Sequence, residues 1–212
     1  MQDWVSYADQ VSVVTVLSEA QVTDPYLEES PEGAGLLGRK LRVRVERTIW
    51  TAPGFGERTG ELTISGGAWT VKQWKPRPVV TDVHATWPEV GATYLVALMR
   101  WSTPVSPPEG WQGLTYEPET FDVVGGTAMV RVVEGRVVLH ELPSWRADRT
   151  RLPVHAQIEG RSVDAVAEML GATEPDPLAV KYRHLAPLER WLYVSSERER
   201  ARTEEGDVVP GG

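Results

Sequence analysis

The chain has no cysteine, and that absence alone removes disulfides, thiol nucleophiles, iron–sulfur clusters and every cysteine-containing zinc site. Histidine is scarce, with four residues, so a metal or histidine-based catalytic site must be built from very few side chains. No apolar run approaches the ~18 residues of a membrane-spanning helix. The start, Met1-Gln2-Asp3-Trp4, lacks the basic and apolar regions of a signal peptide. The expected compartment is therefore the cytoplasm, or an exported or membrane-tethered setting if a leader has been trimmed. Positive charge is the minority sign: 22 Lys+Arg face 30 Asp+Glu, a net charge of -8, which argues against general polyanion binding. Only Lys40, Lys72, Lys75 and Lys181 of those 22 are lysine. Such a skew is what high-GC coding tends to produce, so the arginines are not by themselves a phosphate-binding signal.

The remaining composition suits one substantial domain. The 212 residues, 41% of them hydrophobic, are enough to bury a core, and 19 Gly with 16 Pro supply many turns. The first half reads as β. Val11 to Leu17 is a β-branched run, and residues 21–38 carry acidic, Pro- and Gly-rich loop chemistry. From Arg39, Leu41, Val43 and Val45 alternate with Lys40, Arg42, Arg44 and Glu46, the signature of a half-exposed strand. Leu62-Thr63-Ile64 and Ala68 to Trp74 read as a strand pair around a Gly66-Gly67 turn. Lys75-Pro76-Arg77-Pro78 is expected to break pairing, because proline cannot donate to a ladder. Thr93 to Met99 is the clearest buried strand. Phe121–Val124, Thr127–Val133 and Arg136–His140, with a Glu134-Gly135 turn, read as a closing meander.

After Pro143 the period changes to helical. Ser162 is expected to cap a helix ended by Gly171, and Asp176-Pro177 to start another holding Tyr182, His184 and Leu185, kinked or restarted at Pro187. Fraying is expected from about residue 203.

Four features carry a family resemblance: Ala8-Asp9 opening the Val-rich strand, the acidic loop, the strand ending Val43-Arg44-Val45-Glu46-Arg47, and Gly91-Ala92-Thr93-Tyr94-Leu95-Val96. Over residues 8–101 the chain resembles the cysteine-free bacterial version of the netrin-module, or tissue-inhibitor-of-metalloproteinase-like, OB-fold. The hairpin at Glu134-Gly135 and the helix start at Gly160-Arg161-Ser162-Val163 fit the elements that commonly succeed that barrel in the chain. The resemblance implies a barrel. It does not carry over protease inhibition, which relies on an N-terminal cysteine and disulfides that this chain lacks.

Combined, these readings predict a mainly β, α+β protein. Residues 1–142 form an OB-like, closed or partly open antiparallel β-barrel with a hairpin extension. Residues 143–203 form a helical C-terminal segment packed on the barrel, and 204–212 a flexible tail.

Catalytic signatures are missing. Asp82 and His84 lack a third ligand, and His140, His155 and His184 form no His-x-x-x-His pair, so no metal site is assigned. No Gly-x-Ser-x-Gly elbow is present, and Ser195-Ser196 lies on a charged helix end. Glu28-Glu29 and Glu117/Glu119 sit in loops, whereas acid–base work needs a carboxylate in a shaped, partly dry pocket. Gly33-Ala34-Gly35-Leu36-Leu37-Gly38 matches a phosphate-loop pattern by letter but precedes a strand, so it is rejected. No catalytic residue and no cofactor is assigned.

Nine Trp beside two Phe are the unusual quantity. Arg42 and Arg44, with Trp69, Trp74, Trp101 and Trp111, are the candidate ligand-binding set, because aromatic and guanidinium faces on a barrel strand can stack bases or sugars. Core packing of the same tryptophans is the competing reading. Residues 1–134 hold 11 basic and 17 acidic residues, so an anionic polymer would work against the field of its own domain. The expected function is a non-enzymatic binding module for a protein or small ligand. Single-stranded nucleic-acid or glycan binding through the Trp-rich face is the alternative. An enzyme with a site assembled from distant residues, around His84 or His155, is the third.

Overall fold

In the computed structural model the alternating segment after Arg39 is the middle of a 17-residue strand. The structure describes residues 1–22, 35–72, 75–79, 88–100, 120–124, 129–139, 153–185 and 187–206. Leu41 and Val43 are fully buried while Arg42 and Arg44 face out, as the alternation requires. The described elements are, in order, α1 (Gln2–Tyr7), β1 (Gln10–Val22), β2 (Gly35–Thr51), β3 (Gly60–Lys72), β4 (Lys75–Val79), β5 (Thr93–Arg100), β6 (Thr120–Val123), β7 (Met129–Val133), β8 (Arg136–Val138), α2 (Pro153–Ile158), α3 (Val163–Ala172), α4 (Pro177–Lys181) and α5 (Pro187–Gly206). The protein is mainly β with helices, an α+β fold built on a partly open barrel.

The strand ladder returns to its first member. β1 pairs with β2, β2 with β3, β6 with β5, and β5 back with β1, all antiparallel. The link between β3 and β6 is parallel and, among the described residues, holds two residue pairs, Thr63 with Thr120 and Ile64 with Phe121. Tyr94 to Leu98 of β5 are all fully buried, because β1 covers one edge of the strand while β6 and β7 cover the other. An apolar run without alternation is what such an enclosed strand needs.

Four expectations for the strands are corrected. The segment 21–38 is partly strand: β1 runs on to Val22 and β2 begins at Gly35. Gly66-Gly67 is no turn, since β3 is continuous, and the register against β2 slips there from Gly38–Ala68 to Lys40–Ser65. Two glycines give a bulge its conformational freedom as readily as they give a turn. Lys75 to Val79 pairs with β3 as an edge strand. Pro76 and Pro78 are two apart, so the missing N–H groups share one parity and can both face away from β3. Finally, β6 and β7 do not form a meander. They follow one another along the same edge of β5, with the Val124 N–H donating to the Ala97 carbonyl at the join (2.9 Å).

The β7–β8 hairpin turns at Glu134 (φ 49°) and Gly135 (φ 73°), the two positive-φ positions of a type I′ turn. The Val163 N–H donates to the Gly135 carbonyl (3.0 Å), which docks the start of α3 against this hairpin. Ser162 caps α3 as the sequence predicts, its hydroxyl accepting from the Ala165 N–H at 3.2 Å. Gly171 does not stop the helix, which ends one residue later against Thr173, whose hydroxyl donates to the Met169 carbonyl (2.6 Å). Ser162→Ala is expected to lower stability by about 1 kcal/mol in urea denaturation, the usual worth of a serine cap.

Helices α1, α4 and α5 meet at one end of the barrel, where α1 touches α4 and α5, and α5 touches β5. Ser6 joins them: its hydroxyl accepts from the Asp176 N–H (2.8 Å) and its carbonyl from Nη1 of Arg190 (2.9 Å). Asp176 also caps α4 through the Leu178 N–H (2.8 Å) and pairs with Arg198. As expected from Pro187, α5 is a fresh helix start. His184 therefore lies in the turn between α4 and α5, not inside a helix.

Candidate functional site

Where β1 begins, the chain leaves α1 through Ala8 and reaches Asp9, which is almost wholly buried. Three hydrogen bonds fix it. Its N–H donates to the Leu98 carbonyl (2.8 Å), its carbonyl accepts from the Ala52 N–H (2.8 Å), and Oδ2 accepts from the Arg100 N–H (2.7 Å). These bonds bring the start of β1, the end of β2 and the end of β5 to one place. Ala52-Pro53-Gly54-Phe55 turns there with Gly54 at φ 82°, a value that favours glycine. The Arg100 guanidinium lies 4.9 Å above the Phe55 ring. From the helical side, the turn after α4 contributes Arg183, His184 and Leu185, and α5 contributes Arg190.

These residues surround a cavity of about 420 Å³, within the range of small-molecule pockets. Arg190 is the buried centre of its polar side. Nη1 donates to the Ser6 carbonyl and Nη2 reaches the Arg183 and Leu185 carbonyls at 3.4 Å, while Nε has no hydrogen-bond partner among the described residues. Burial pushes the Arg190 guanidinium below its ordinary pKa, with the charge of Asp9 acting in the other direction. Burial likewise raises the Asp9 carboxyl, against the opposing effects of the Arg100 N–H and the charges of Arg190 and Arg100.

A carboxyl whose folded pKa exceeds its unfolded value costs stability when ionised. Asp9→Asn is therefore expected to be more stable than the parent chain above the folded pKa of Asp9. That advantage should shrink as pH falls through the folded pKa and be gone below the unfolded value near 3.8. Urea midpoints of both chains across the acid-to-neutral range check this, since their difference cancels the other carboxylates.

The sequence-nominated residues fall elsewhere. Arg42 and Arg44 stand together on the outward face of β2, where Arg42 pairs with Glu61 and Arg44 with Glu46 (2.9 Å). Trp69 belongs to β3 by backbone, but its side chain lies outside the described residues, as do Trp74, Trp101 and Trp111 altogether. His84, His140 and the side chain of His155 also lie outside them. Among the tryptophans with described side chains, Trp4 is core, Trp50 is half-buried and Trp191 is exposed. No group of three or more metal-ligating side chains occurs among the described residues, and no described helix is long and apolar enough to cross a membrane.

Asp9, Phe55, Arg100, Arg183 and Arg190 carry no sequence signal as a group, because the fold assembles them from separate segments. Of these, only Asp9 is marked in the sequence, within the Ala8-Asp9 strand opening. The chain matches no protein-family model, no curated protein and no solved structure.

Proposed function

We propose that the chain is a non-enzymatic binding module, an OB-type barrel of netrin-like kind whose helical C-terminal segment completes a ligand pocket at one barrel end. The order β1-β2-β3-β6-β5-β1, with a parallel β3–β6 link, supports the OB-type reading. The single observation that carries the binding reading is the cavity between the barrel end and α5, lined by fixed polar groups and an aromatic wall. The alternative, stacking of single-stranded nucleic acid or glycan on the β2 face, has less support, since Arg42 and Arg44 are each occupied by a carboxylate.

Amide chemical-shift mapping with a small-compound library tests the proposal. The expected result is that the amides of residues 9, 52, 54, 55, 100, 183–185 and 190 respond as a group. If those amides stay still under every compound, or a hydrolase screen finds turnover abolished by Asp9→Asn, the non-enzymatic pocket reading is wrong.

A further inference from the structure

Six described arginines pair with carboxylates: Arg39 with Glu19, Arg42 with Glu61, Arg44 with Glu46, Arg47 with Asp164, Arg131 with Glu89 and Arg198 with Asp176. Arg58, Arg136, Arg161 and Arg200 do not pair with a described carboxylate, but all four are exposed; the three arginines lining the cavity are the unpaired ones that converge on one space, and they include the buried Arg190. Arg100, Arg183 and Arg190 form no salt bridge with any described carboxylate, and Asp9 is the one acidic residue among the described residues lining the same space. The cavity is thus locally cationic within a chain of net charge -8. Its most buried arginine, Arg190, has only neutral carbonyls on its Nη atoms and no described partner on Nε. The charge of Asp9 acts on Arg190, but no hydrogen bond or ion pair joins the two, so part of the desolvation cost of the buried guanidinium is left uncompensated.

We propose that this pocket takes the oxyanion head of a small organic anion, a carboxylate or phosphate, with the ligand's apolar body against Phe55 and Leu185. The inference rests on the reading of the cavity as the binding site. Guanidinium groups suit either oxyanion through paired N–H donors. Phe55 and Leu185, with Ala52 and Pro53, provide the apolar wall that a free inorganic ion would leave unused. Asp9 offsets only part of the positive charge: its Oδ2 accepts from the Arg100 N–H, its charge acts on Arg190 and Arg100, and the lining holds three arginines to this one carboxylate.

The test is titration of the full chain with benzoate, phenyl phosphate, benzamide, benzylammonium and inorganic phosphate, followed by calorimetry and amide shifts. The phenyl anions are expected to move the amides of residues 52, 54, 55 and 183–185 and to bind at least about ten-fold more tightly than benzamide, the scale of one charge-assisted contact. Arg183→Gln and Arg100→Gln, at more exposed positions than Arg190, should each weaken them by about ten-fold while leaving the urea midpoint nearly unchanged. Benzamide or benzylammonium binding as tightly at the same amides would overturn the anion assignment and leave the pocket reading standing. Inorganic phosphate matching phenyl phosphate would overturn the apolar-body assignment. No response from any of the five at those amides would overturn this inference, whereas the wider library decides the pocket reading itself.

Discussion

Trp4→Ala is expected to cost about 3–5 kcal/mol of folding stability, the range for emptying a buried large aromatic site. Trp4 is 2% exposed and belongs to α1, a helix of six residues that would not form alone. α1 exists because Trp4, Val5 and Tyr7 are buried in the core and because Ser6 ties it to Asp176 and Arg190. Removing the indole takes away the largest fully buried side chain among the described residues, from the helix that also contacts α4 and α5. The loss should appear as a lower urea midpoint with a single transition, because the helices and barrel share one hydrophobic cluster. A cost below about 1 kcal/mol would show that α1 is not part of that cluster.

Arg190→Leu is expected to cost about 3 kcal/mol although it introduces an apolar side chain into a buried site. The substitution strips donors from the Ser6, Arg183 and Leu185 carbonyls and removes the cation that faces Asp9. A buried carboxylate without that cation is the more expensive half of the loss. Combining Arg190→Leu with Asp9→Asn should therefore recover at least about 1 kcal/mol relative to Arg190→Leu alone. Strict additivity in the double-mutant cycle would mean that the two charges do not act on one another across the cavity.

The barrel was largely legible in the sequence because its strands obey local rules. Leu41, Val43 and Val45 alternate, Tyr94 to Leu98 do not, and these two patterns correspond to a half-exposed and an enclosed strand. Ser162 and Asp176 announce helix starts through cap chemistry that needs only two or three neighbouring residues. The misreadings occur where a residue's meaning depends on its partner strand. Gly66-Gly67 and Pro76/Pro78 have turn and breaker chemistry, and only the register against β2 and β3 makes them a bulge and an edge. The pocket was not legible at all. Asp9, Phe55, Arg100 and Arg190 have no common spacing, and their significance arises from burial and from the shortage of carboxylates around them. Arg42 and Arg44 drew notice because they alternate on a strand, yet Glu61 and Glu46 already neutralise them.

Amide shift mapping of one sample, titrated first with a single-stranded oligonucleotide and then with phenyl phosphate, separates the two surfaces most directly. The pocket account predicts no movement at Arg42 and Arg44 with the oligonucleotide, and concerted movement of Phe55, Arg100, His184 and Arg190 with phenyl phosphate. Movement along β2 with a silent pocket would contradict it.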